Sequence, residues 1–297
     1  MVKITFLGTS DQVPSIKRNH TGIFLSYNED GILIDCGEGM QRQFRIAKLN
    51  PCKITKILIT HFHGDHVLGL SGILQTLSLS GYNKVLEVYG PVGIKEFIRK
   101  LLDAYPFRCC YEIKVSEAKG KFFEGKDFYL SSEEMTHGCA CNAYSFVKVG
   151  QRRIDKEKIK KNKILAGPHL QELKLGKNIN YNGKKYLFKD LTYVEDDLKI
   201  SIVLDTTVND EIVPFVKGSD LLISESTFGS ELKEKALEHN HMTVIDAAKI
   251  AKKAKVKKLI LTHISQRYEA NLKSILDQAK DIFSNSYIVK DFDSVDV

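Results

Sequence analysis

The chain has 297 residues, of which 43% are hydrophobic and 27% charged, and its net charge is +7. This length supports one large domain or two small ones with a sizeable core, and the composition is that of an ordinary soluble globular protein. No apolar stretch approaches the ~20 residues of a membrane helix. The six cysteines include no C-x-x-C pair, so reduced thiols are expected rather than a disulfide framework.

In chain order, short apolar runs predict strands over 2–7, 21–26, 31–35, 54–60, 85–89, 128–131, 144–149, 199–204, 221–224, 258–262 and 287–289. Helical patterns follow over 39–48, 66–79, 92–105, 244–255 and 269–283. The first strand runs into a glycine turn and lacks the charged start, long apolar core and cleavage site of a signal peptide, which makes a cytoplasmic location the default. Thr243 followed by Asp246 resembles a capping box for the fourth helix, and Lys252, Lys253 and Lys255 complement its C-terminal dipole. No repeat, low-complexity tract or clear linker interrupts the chain. An α/β fold in a single domain, 1–297, is expected.

The chemistry concentrates in Thr60-His61-Phe62-His63-Gly64-Asp65-His66, directly after the apolar run Ile57-Leu58-Ile59. Residues two apart on an extended loop bring both imidazoles to one ion, and the Asp-His pair one step on reaches a second. Zinc takes such nitrogen and oxygen ligands at roughly 2.0–2.2 Å. The cluster reads as a two-metal site. Further polar residues end other strands: Asp35 after Ile32-Leu33-Ile34, Asp205 after Leu204, and His263 after Thr262, with His137 in a loop. In α/β sheets ligands gather beyond the carboxyl ends of strands. Cys139 and Cys141 lie near His137, but the further soft ligands of a sulfur-ligated zinc are missing.

The positive charge is local. Residues 150–189 hold twelve Lys or Arg against three acids, a net +9 that leaves the rest of the chain at −2. Such a patch suits a polyanion; a solvated surface loop is the plainer alternative.

These residues resemble the metallo-β-lactamase superfamily, whose five motifs stand in order as Asp35, His61–His66, His137, Asp205 and His263. Within it, the chain is similar to the ribonuclease Z family. That likeness is carried by Phe6-Leu7-Gly8-Thr9-Ser10, by Pro14-Ser15-Ile16-Lys17-Arg18-Asn19, by Val67-Leu68-Gly69-Leu70-Ser71-Gly72, by His241-Met242-Thr243 and by Thr262-His263-Ile264-Ser265-Gln266-Arg267-Tyr268. Gly167-Pro168 followed by Leu173-Lys174-Leu175-Gly176 looks like the family's flexible arm, an exosite that grips tRNA, although His169 stands where an aromatic is expected.

The resemblance implies a four-layer αβ/βα sandwich with a basic arm at 150–189. It implies an endoribonuclease that removes the 3′ trailer from precursor tRNA, leaving a 3′-hydroxyl on the tRNA and a 5′-phosphate on the trailer. It also implies two Zn²⁺ per subunit and a homodimer that acts on neither membrane nor DNA. By position, His61, His63 and His137 bind one metal, Asp65, His66 and His263 the other, and Asp205 bridges them. Asp65 doubles as general base, and Asp35 orients a ligand imidazole. His241 is the general acid, with Glu225 raising its pKa. For RNA contact the candidates are Lys17, Arg18, Asn19, Arg152, Arg153, Lys174 and Lys177. A small-molecule hydrolase of the same superfamily would share the cluster but gives no reason for the basic segment. An RNA-binding scaffold with a decayed site would lack a ligand, and none is missing.

Overall fold

The computed structural model describes every residue from Met1 to Val297. Its strands are, in order, β1 (Lys3–Gly8), β2 (Gly22–Tyr27), β3 (Asp30–Ile34), β4 (Ile54–Leu58), β5 (Leu86–Gly90), β6 (Ile113–Glu117), β7 (Gly120–Glu124), β8 (Phe128–Thr136) and β9 (Ala140–Lys148). After them come β10 (Arg152–Ile154), β11 (Ile179–Tyr181), β12 (Lys184–Tyr186), β13 (Thr192–Val194), β14 (Leu198–Val203), β15 (Leu221–Glu225), β16 (Leu259–Thr262), β17 (Ser286–Ile288) and β18 (Ser294–Asp296).

Two seven-stranded sheets dominate, with orders β18-β1-β2-β3-β4-β5-β6 and β17-β16-β15-β14-β9-β8-β7. In the first, β18, β1, β2 and β3 pair antiparallel, while β3 through β6 pair parallel. In the second, β14 through β17 are parallel. The parallel strands are apolar almost throughout because both faces are covered. Helices Met40–Ile46, Leu70–Leu79 and Ile94–Asp103 bury Phe44, Ile73, Leu77 and Ile98 against Leu33, Ile57 and Val88 on one outer face. Helix Val244–Lys253 presents Ala247, Ala248 and Ala251 to Val203, Leu222 and Leu261 on the other, the small side chains allowing close approach. Aromatic edges join the inner faces: Tyr27 meets Phe146 at 5.5 Å and Phe122 meets Tyr144 at 5.9 Å. The Tyr144 hydroxyl donates to the Ile59 carbonyl at 2.6 Å. Two sheets face to face with helices outside them make the expected αβ/βα sandwich.

All eleven expected strands form, with shifted ends. The expected helix 66–79 instead divides into Gly64–Val67 and Leu70–Leu79. The break has a steric cause. A Cβ on Gly69 would lie 2.1 Å from the Gly37 carbonyl oxygen, and one on Gly37 would lie 2.5 Å from that of Asp65. The two backbones cross here in contact, tied by Cys36 N–H to His66 O at 2.7 Å and Gly69 N–H to Cys36 O at 2.9 Å. Residues 113–117 and 120–124 were not expected as strands; their Lys and Glu side chains mask the alternation, as suits edges that must not pair further.

The chain falls into two compact units. The first comprises Met1–Phe123, Leu130–Phe146 and Lys199–Val297; the second comprises Glu124–Tyr129 and Val147–Leu198. The second contains the basic segment but is wider than 150–189. It has its own apolar cluster of Ile159, Ile164, Leu173, Ile179 and Leu191, with strand pairs β10–β13 and β11–β12 and helices Lys156–Lys161 and His169–Lys174. One buried residue per helix among lysines leaves little periodicity to read, which is why these elements escaped expectation.

Candidate metal centre and catalytic cleft

The site lies at the carboxyl ends of the strands, where the sequence placed it. Asp35 follows β3, Asp205 follows β14 and His263 follows β16. All three turn the chain with positive φ, at 56°, 21° and 56° respectively. A side chain in that region costs about 1–2 kcal/mol. The surrounding structure supports this cost at the residues that carry the chemistry.

Two groups of donors converge. In the first, His61 Nε2 and His137 Nε2 lie 3.0 and 3.2 Å from His63 Nδ1, and each lies 3.6 Å from Asp205 Oδ2. In the second, His66 Nε2 lies 3.2 Å from Asp65 Oδ2 and 3.4 Å from Asp205 Oδ2. His263 Nε2 completes it, 3.4 Å from Asp65 Oδ2 and 3.2 Å from Asp205 Oδ1. Bonds of roughly 2.0–2.2 Å around a tetrahedral ion imply ligand–ligand edges of about 3.3–3.6 Å. The observed spacings, 3.0–3.6 Å, reach from just below that range to its upper end.

The far ring nitrogens decide what these contacts are. His66 Nδ1 donates to Asp35 Oδ2 at 2.6 Å. His61 Nδ1 donates to Thr60 Oγ1 at 3.0 Å, and Thr60 donates on to Asp35 Oδ2 at 2.8 Å. His263 Nδ1 donates to Thr227 Oγ1 at 3.0 Å, and Thr227 donates to Glu225 Oε2 at 2.7 Å. His137 Nδ1 donates to the Asn240 carbonyl at 2.8 Å. Each imidazole is thereby fixed with its Nε2 lone pair facing the others, an arrangement that repels itself unless cations sit between. His66 Nε2 and Asp205 Oδ1 are buried without a hydrogen-bond partner. The donor set fits two divalent metal ions, and the acids and imidazoles are of the kind that zinc accepts.

The electrostatics agree. Burial works against charge on His66, but Asp205, Asp35 and Asp65 overcome it and raise its pKa well above the ordinary value. Burial also disfavours the Asp205 carboxylate, yet His263 and His66 hold its pKa well below the usual range. A field that attracts a proton this strongly attracts a divalent cation, which competes for the same lone pair. Burial lowers His61 and His137, which suits neutral ligands. Asp65 is likewise held as a carboxylate by His66 and His263 against the opposing effect of burial.

His241 and Glu225 come together as expected. His241 Nδ1 lies 3.1 Å from both oxygens of Glu225, which is fully buried at the end of β15 and also accepts from Thr206 N–H at 2.7 Å. Burial opposes charge on His241, but Glu225 foremost and then Asp205 raise its pKa to about 9. Its ring lies 5.0 Å from that of His137 and 5.5 Å from that of His263, on the wall of a cleft of about 290 Å³.

The chain is 38% identical to ribonuclease Z of Nanoarchaeum equitans, over 91% of this chain and 85% of that one. It is 36% identical to the Oceanobacillus iheyensis ribonuclease Z, over 98% of each. The chain belongs to the ribonuclease Z family. Among solved structures it resembles human tRNase Z, short form, with a TM-score of 0.73 and 26% identity, covering 99% of each chain. The Bacillus subtilis metallo-β-lactamase fold protein YhfI shares the fold at a TM-score of 0.70 and 19% identity, over 99% and 98% of the chains. Residues 2–99 also match the family model described as Anti-Pycsar protein Apyc1, a stretch that includes the histidine cluster.

On this ribonuclease Z frame the expected RNA contacts divide. Lys17 is exposed, 3.9 Å from Glu269. Arg18 is not available to RNA: it is 4% exposed, its Nη1 donating to Thr9 Oγ1 at 2.7 Å and to the Val289 carbonyl at 2.9 Å. Asn19 is half-buried, Nδ2 donating to the Glu38 carbonyl at 2.7 Å and its backbone N–H to Asp291 at 2.7 Å. Motif chemistry favoured phosphate for Arg18; burial against the C-terminal segment made it a strut. Arg152 lies over the Phe188 ring at 4.6 Å, Arg153 pairs with Glu195 at 3.0 Å and Lys177 with Glu172 at 3.1 Å, while Lys174 is exposed. Exposed ion pairs of this sort contribute little energy. Cys139 is exposed and Cys141 buried, and neither joins the ligand groups. Sequence reading missed Thr60 and Thr227; their adjacency to His61 and Glu225 was the available signal.

Proposed function

We propose that this ribonuclease Z family member is the endoribonuclease that removes 3′ trailers from precursor tRNA, using two Zn²⁺ per subunit. The observation that carries the reading is the convergence of seven donors beside His241, whose Nδ1 lies 3.1 Å from both oxygens of the buried Glu225. His61, His63 and His137 would hold one ion and Asp65, His66 and His263 the other, with Asp205 within reach of both groups. When bound, the two metals supply Lewis acidity, polarising the phosphate and acidifying the attacking water.

The chain's own residues do the rest. Asp35 and Thr60, and on the other side Glu225 and Thr227, keep the ligand imidazoles aligned. Asp65, a carboxylate with little affinity for protons, accepts a hydrogen bond from the attacking water and orients it. His241 gives its proton to the departing 3′-oxygen, which is a poor leaving group as a bare alkoxide, and Glu225 keeps that proton in place near neutral pH. The lysine-rich segment 150–189 engages the tRNA, and the molecule acts as a homodimer in the cytoplasm. No helix is long and apolar enough to cross a membrane.

The test is an end analysis of products from a precursor tRNA carrying a 3′ trailer. A 3′-hydroxyl on the tRNA and a 5′-phosphate on the trailer are expected. A cyclic phosphate, or a tRNA ending in a 3′-phosphate, would refute the geometry. Metal analysis of the purified protein should give two zinc ions per chain.

A further inference from the structure

On one side of the cleft, Phe228, Lys235, His239 and Arg267 have no part in metal binding or proton transfer. They lie beyond His241. The Phe228 ring is 6.0 Å from His241, and the ring of His239 is nearly parallel to it (19°) at 6.4 Å. The Arg267 guanidinium lies over the same Phe228 ring at 5.3 Å and donates through Nε to Ser265 Oγ at 3.1 Å. Phe228 is itself pinned, its carbonyl accepting from Val244 N–H at 2.9 Å. His239 and Lys235 are exposed, and neither Lys235 nor Arg267 is within ion-pair distance of a carboxylate. Arg267 is thus held through its Nε and an aromatic face, and it lines the cleft. The other stretch lining this cleft, Asp11-Gln12-Val13, carries an acid and no cation.

We infer that these four residues form the subsite for the nucleotide that departs with the 3′-hydroxyl, Arg267 binding the phosphate on its 5′ side and His239 stacking on its base. The inference rests on the proposed function above and fixes the direction in which RNA crosses the site. His241 delivers its proton to the 3′-oxygen of that nucleotide, so the nucleoside must lie on the His241 side of the reacting phosphorus. Its sugar then leads to the next groups in line, a ring face and two cations. Stacking tolerates any base, because every base has a π-face. A guanidinium already held by an aromatic face and a hydroxyl loses little freedom on binding phosphate. The trailer leaves along Asp11–Val13, where no cation holds it.

A cycle of protein and substrate changes tests this. Precursor tRNAs are made with one neutral methylphosphonate, at the linkage either just upstream or just downstream of the scissile one. With the unmodified precursor, Arg267→Ala should lower kcat/KM about ten- to hundredfold, the scale of a hydrogen bond to a charged group. The upstream methylphosphonate should lower the wild type similarly and leave Arg267→Ala no worse. The downstream one should add its loss to that of the variant. Additive losses upstream, or coupling at the downstream linkage, would overturn the assignment. Arg267→Gln repeats the cycle if the alanine variant loses metal or unfolds. A wild type that leaves the unmodified precursor intact would overturn the functional reading, and the subsite with it.

Discussion

At the scale of single residues, the site is built from two carboxylates that each serve two histidines. Asp35 holds His66 directly and His61 through Thr60. Glu225 holds His241 directly and His263 through Thr227. The difference is that His241 stands outside both donor groups, with burial opposing its charge and Glu225 foremost raising its pKa. Replacing His241 with Ala should lower turnover on precursor tRNA by roughly 10²–10⁴-fold, with metal content unchanged; loss of metal would make it a ligand instead. The pH dependence follows from the same pair. His241 has its pKa raised to about 9, so the acid is present below that value and lost as pH rises through it. Cations at the neighbouring sites oppose its charge, which places the alkaline limb at or below about 9. Glu225→Gln removes the largest raising charge and should move that limb to lower pH. An unmoved limb would mean that another group sets it.

At the scale of elements, the histidine loop depends on the crossing of two backbones. Gly69→Ala puts a methyl 2.1 Å from the Gly37 carbonyl. It should cost about 1–3 kcal/mol as overpacking does, seen in thermal unfolding together with reduced zinc retention. Helix Val244–Lys253 starts at a capping box in which Thr243 Oγ1 accepts from Asp246 N–H at 3.2 Å and Asp246 accepts from Thr243 N–H at 3.1 Å. Thr243→Ala should cost about 1 kcal/mol. This capping box was legible from two residues, and so were Asp35, Asp205 and His263, because an acid or histidine after an apolar run marks a strand end. The partners of Arg18 were not. Val289 is 271 residues from it in sequence, and only the folded chain brings a loop rich in polar residues against the last strands. The split at Gly69 was hidden for a similar reason, since helical periodicity carries no information about a neighbouring carbonyl.

At the scale of the whole molecule, charge and chemistry are carried by different stretches of chain. The metal ligands belong to the first compact unit, and the +9 of residues 150–189 belongs to the second. The second unit closes at its own neck, where Gly150 N–H donates to Asp197 Oδ1 at 2.7 Å. That neck gives a cleaner excision than the basic residues alone. Replacing residues 150–197 by a short linker should weaken cleavage of precursor tRNA far more than hydrolysis of bis(p-nitrophenyl) phosphate. Equal losses on both would give the unit a structural role.

The central claim is that two metals held by these seven donors cut the precursor at the end of the tRNA body. It is tested most directly by incubating the purified protein with a precursor tRNA bearing a 3′ trailer, before chelation, after chelation and after zinc is restored. The account predicts a single cut releasing the trailer, abolished by the chelator and recovered with zinc. Cleavage that survives removal of the metal, or an intact precursor in the presence of two bound zinc ions, would contradict it.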